Sequence, residues 1–76
     1  MSNKYLMSVR VGPTLVRQFE AKLREAGVDV AEVGTERVYV RAEGSEPSAA
    51  AHNVRVDVFR RYGTDYGLLP MLVRKL

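Results

Sequence analysis

Arg37, Tyr39 and Arg41 occupy alternate positions of the segment Arg37-Val38-Tyr39-Val40-Arg41. On a β-strand alternate residues share a face, so this spacing stands one aromatic ring between two guanidinium groups. Such a surface suits single-stranded nucleic acid, with the ring stacking on a base and the guanidiniums meeting phosphates. Arg10 joins the group if its strand lies beside this one. The plainer reading of the same residues is a charged outer sheet surface that keeps a small domain soluble.

Other reactive side chains do not combine. His52 and Asp57 lie near Ser45 and Ser48 in sequence. On a helix, residues five apart point roughly 140° from each other, which prevents a base–orienter pair. Glu32, Glu36, Glu43 and Glu46 match neither a calcium-loop spacing nor a paired-carboxylate site. Gly12-Pro13-Thr14 precedes a helical pattern and could meet an anion, but it lacks the longer glycine-rich turn and Lys-Ser/Thr end of a P-loop. The chain has no cysteine and one histidine, which removes thiolate chemistry and the usual zinc ligand sets. The expectation is no catalytic residue, no cofactor and no metal.

A second surface comes from hydrophobicity. In Leu68-Leu69-Pro70-Met71-Leu72-Val73 neither face of an extended chain is polar. One face can cover the core, and the other needs a partner. Leu68, Leu69, Met71 and Leu72 are therefore the candidate self-association residues.

Size limits what can hold these groups in place. With 76 residues there is room for one small domain, and residues 1–76 are read as that domain. The hydrophobic fraction is 46%, and both charge signs are mixed to a net +3, which argues against disorder. From residue 45 onward five cations face three anions, a weaker stripe than duplex DNA binders carry. No apolar run reaches the ~18–20 residues of a membrane span. Met1-Ser2-Asn3-Lys4 leads into no signal-like apolar region, so a cytoplasmic location is expected. Isoleucine is absent, valine occurs twelve times, and arginine outnumbers lysine nine to three. That bias points to the GC-rich genome of a bacterium or phage.

The elements follow from periodicity. Residues 4–11 alternate and predict a strand with Tyr5, Met7, Val9 and Val11 on one side, burying Met7, Val9 and Val11 and exposing Leu6, Ser8 and Arg10. Pro13 to Ala26 predicts a helix whose core face is Leu15, Val16, Phe19, Leu23 and Ala26, closed by Gly27. Residues 28–33 and 37–42 predict a hairpin. The next segment is ambiguous, since Val54, Val56 and Val58 alternate as in a strand. A helix capped by Ser45 is preferred, because Ala50 or Ala51, Val54, Val58 and Tyr62 form one stripe with Phe59 beside it. Residues 66–73 predict a last strand, at an edge because it contains Pro70.

The order β-α-β-β-α-β is the split βαβ, or ferredoxin-like, arrangement of the α+β class: an antiparallel sheet with two helices on one face. Strands one and three are then central neighbours, which brings Arg10, Arg37, Tyr39 and Arg41 together on the open face. RNA-recognition-motif proteins use such a face with a glycine and several aromatics on the third strand, whereas this strand supplies one aromatic. The Pro/Gly turn into a helix ending Ala26-Gly27-Val28-Asp29-Val30 resembles ACT regulatory domains. Their usual aspartate before that turn is missing here. The resemblance implies the same topology and, as a third reading, small-molecule sensing.

These observations predict a non-enzymatic binding module. Self-association, or binding to another protein, through the C-terminal strand or open face comes first. Weak single-stranded nucleic-acid binding is the alternative, and no membrane partner is expected.

Overall fold

The computed structural model describes residues 2–76. It contains β1 (Asn3–Arg10), α1 (Val16–Glu25), β2 (Asp29–Val33), β3 (Arg37–Gly44), α2 (Pro47–Tyr62) and β4 (Met71–Lys75). The four strands form one sheet in the order β2-β3-β1-β4, with every neighbouring pair antiparallel. This is the ferredoxin-like split βαβ fold that the element order predicts.

The core lies between sheet and helices. Val38, Val40 and Ala42 of β3 and Tyr5, Met7 and Val9 of β1 point inward. Ala50, Val54 and Val58 of α2 and Val16 and Leu23 of α1 close over them. The ambiguous fifth segment is thus a helix, because its buried residues recur every four positions and cover one sheet face. Valine suits both surfaces, since its branched side chain is stiff and packs well on a pleated sheet.

Several boundaries differ from the sequence expectation. The first helix starts at Val16, three residues after Pro13, because Pro13–Leu15 form a turn in which the Leu15 N–H reaches the Gly12 carbonyl at 2.9 Å. Leu15 therefore leaves the core and is 52% exposed, while Phe19 is half-buried. The end of α1 is as expected: Gly27 takes φ +85°, and the Val28 N–H returns to the Leu23 carbonyl at 3.0 Å. Ser45 does not cap α2. Glu46 holds the capping position, and its carboxylate accepts a hydrogen bond from the Ser48 hydroxyl at 2.8 Å.

The last strand begins at Met71, because residues 63–70 are used as a strap. Asp65 accepts the Gly67 N–H at 2.9 Å, and its carbonyl accepts the Leu68 N–H at 3.1 Å. Tyr66, at φ +54°, stacks edge-to-face on Tyr62 at 5.6 Å. The Lys22 ammonium lies 4.7 Å from the Tyr66 ring centroid and donates to its hydroxyl at 3.2 Å. The Tyr62 hydroxyl donates to Glu25 at 2.6 Å, which raises its pKa above the ordinary tyrosine value. This strap ties the end of α2 to α1 and delivers Leu68 to the core.

Candidate interaction surface

The open sheet face is assembled by the β1–β3 register. Arg10 stands opposite Arg37, Ser8 opposite Tyr39, and Leu6 opposite Arg41. Arg10, Arg37, Tyr39 and Arg41 are thus brought together on one face. Two of the three guanidiniums face a carboxylate of the chain, and the third a neutral hydroxyl. Arg41 contacts Asp29 at 3.0 Å, Arg37 donates to the Ser8 hydroxyl at 3.4 Å, and Arg10 lies 3.8 Å from Glu36. Tyr39 is half-buried and faces Glu32 across the hairpin. Ser8, expected to be exposed, is only 6% exposed. Arg37, Tyr39 and Met71 flank it from both sides.

A phosphate approaching this face would have to compete with those carboxylates. Asp29, Glu32, Glu36 and Glu43 sit on or beside it, so its field is mixed rather than positive. Among the described residues no cluster of three or more His, Cys, Asp or Glu side chains could hold a metal ion. Among the same described residues no helix is long and apolar enough to cross a membrane.

The second surface is built on β4. This strand is at the sheet edge and makes its substantial contacts with β1 alone. All five of its residues are exposed. Met71 and Arg74 pair with Ser8 and Leu6 and so take the open face. Leu72 and Lys75 pair with Met7 and Tyr5 and take the helix side. Val73 is the extra residue of a bulge between them.

Leu69 and Met71 are 73% and 63% exposed, and Leu72, Val73 and Leu76 are each about half exposed. Leu68 is the correction to the sequence assignment. It is 3% exposed and belongs to the chain's own core, so only Leu69, Met71 and Leu72 remain available outside. Leu69 and Met71 also line a groove of about 560 Å³ with Val11, Leu15, Phe19 and Tyr66. Leu15 was not part of the sequence-derived surface. Only the turn at Pro13 turns it outward beside Leu69.

No family model, curated protein or solved structure matches the chain.

Proposed function

We propose that the chain is a non-enzymatic binding module that self-associates through its C-terminal strand. The observation that carries this reading is the exposure of Leu69, Met71, Leu72 and Val73 on and beside an edge strand whose residues are all exposed. Contiguous apolar surface of this kind mostly marks an association site, and pairing adds the buried area that a chain of this size lacks. An edge strand also offers unpaired backbone groups to an added strand. The alternative, single-stranded nucleic-acid binding by Arg10, Arg37, Tyr39 and Arg41, is supported by their adjacency. It is weakened by the intrachain partners of all three arginines.

Sedimentation velocity over a wide concentration range tests the first reading. The wild type should associate at micromolar concentration. Leu72→Asp should weaken association about tenfold, the equivalent of leaving half a leucine side chain in water. A monomer mass at several hundred micromolar would overturn the proposal.

A further inference from the structure

We infer, building on the self-association reading above, that β4 of one copy pairs with β2 of the next, so the assembly is head-to-tail. β2 and β4 are the two edges of the sheet. Each neighbouring pair is antiparallel, so these two edges run in opposite directions. A second copy placed alongside in the same orientation therefore meets β4 with an antiparallel β2, and the sheet continues.

Charge separates this arrangement from its competitors. β4 carries Arg74 and Lys75 and no acid. β2 carries Asp29 and Glu32 and no base. Pairing β4 with a second β4 would unite two cationic edges, and β2 with β2 two anionic ones. Only the mixed pair is complementary.

The bulges support the same contact. In β2, Asp29 and Glu32 take the open face opposite Arg41 and Tyr39, Val30 points to the core, and Ala31 is the extra residue. In β4 the open-face residues Met71 and Arg74 likewise enclose two others. With Arg74 opposite the partner's Asp29 and Met71 opposite the partner's Glu32, two residues lie between on each strand. Both strands then keep their faces, whereas a bulged strand against a regular one changes face at the bulge. Leu72 and Val73 meet the partner's Ala31 and the partner's Val30.

Coverage of the helix side favours the same contact. α1 packs over β2, whereas α2 comes near only the start of β4, where Met71 shares a shallow pocket with Ala51, His52 and Arg55, and the rest of β4 is exposed. Head-to-tail pairing sets the partner's α1 beside the bare helix side of β4, where Leu72 lies half exposed. Two β4 edges placed together would leave both bare. Because the contact joins two different surfaces, it builds a ring or a filament and does not close as a two-fold dimer.

Charge exchange tests this. Arg74→Glu/Lys75→Glu and Asp29→Lys/Glu32→Lys should each associate about tenfold more weakly than wild type, because the attraction between Arg74 and the partner's Asp29 becomes a repulsion and the two edges come to carry like charge. An equimolar mixture of the two should recover wild-type association, because each variant's altered edge then finds its complement. Thermal melts check folding. If the Asp29 change unfolds the chain, Glu32→Lys with Met71→Glu, which the register sets opposite each other, repeats the test with the Asp29–Arg41 pair intact: Met71→Glu alone should associate more weakly, and the mixture should recover. Association of the β2 variant at wild-type strength would overturn the head-to-tail contact while leaving self-association standing. A monomeric wild type would overturn both. Because the chain lacks cysteine, Leu72→Cys mixed with Ala31→Cys should yield a mixed disulfide under mild oxidation, the paired Cα atoms lying about 5 Å apart. A Leu72→Cys homodimer forming as readily would also overturn it.

Discussion

Arg55 on α2 donates twice to a single carboxylate oxygen of Asp65, from Nε at 3.0 Å and from Nη2 at 2.6 Å. The other Asp65 oxygen accepts the Gly67 N–H. One side chain thus connects the helix to the turn that places Leu68 in the core and aims Leu69 and Met71 outward. The pair is partly shielded, with the Asp65 side chain 28% exposed.

This pair predicts an acid sensitivity. The Arg55 hydrogen bonds, followed by the Gly67 N–H, hold the Asp65 carboxyl below the ordinary carboxylate pKa. A depressed pKa means that folding favours the ionised form. The associated stability is present above the unfolded value of about 4 and is lost as pH falls through the lower folded value. Asp65→Asn should lower the melting temperature at pH 7 and flatten its fall below pH 4. Melts from pH 7 down to pH 2 check this, and parallel wild-type and variant curves would refute it.

The backbone around Gly44 predicts a steric penalty. A Cβ built there would lie 2.5 Å from the Ala50 amide nitrogen and 2.9 Å from the Ala49 carbonyl carbon. Both are helix backbone and cannot rotate away, so α2 would have to move off β3. Gly44→Ala should cost about 1–3 kcal/mol by overpacking. Gly12→Ala, which meets nothing within 4 Å, is the control. Urea denaturation of the two variants should separate them.

Periodicity made most of the framework legible. Met7, Val9, Val38, Val40, Leu23, Val54 and Val58 are all buried where the alternation or helical stripe places them. Three residues escaped for physical reasons. Leu15 fits the helical stripe, but turn hydrogen bonding after Gly12 delays the helix, and spacing does not report where a helix starts. Ser8 lies on the open face as its parity requires, yet long neighbours from β3 and β4 cover it. That coverage depends on register, which joins residues about 30 and 60 positions apart. Leu68 sits in a run with no polar side to mark inside from outside, and Asp65 decides through the turn it builds. The open-face cluster was legible as residues, but its neutralisation by Asp29 and Glu36 was not.

Those two ion pairs bear directly on nucleic-acid binding. Single-stranded nucleic acid needs free guanidiniums and an aromatic ring that a base can stack on. Here Arg41 is held by Asp29, Arg37 leans on Ser8, and Tyr39 is half-buried opposite Glu32. Each phosphate contact would first break an intrachain pair. Titration of labelled single-stranded oligonucleotides at low salt should therefore give no binding tighter than ~100 μM, the non-specific range. Tighter binding that Tyr39→Ala weakens by ~1–3 kcal/mol, the worth of one stacked base, would restore the open face as the functional site. Asp29→Asn frees Arg41 without adding a cation. If the intrachain pairs are what suppress binding, it should raise affinity for single strands above wild type, and an unchanged affinity would show that the face lacks the geometry as well as the charge.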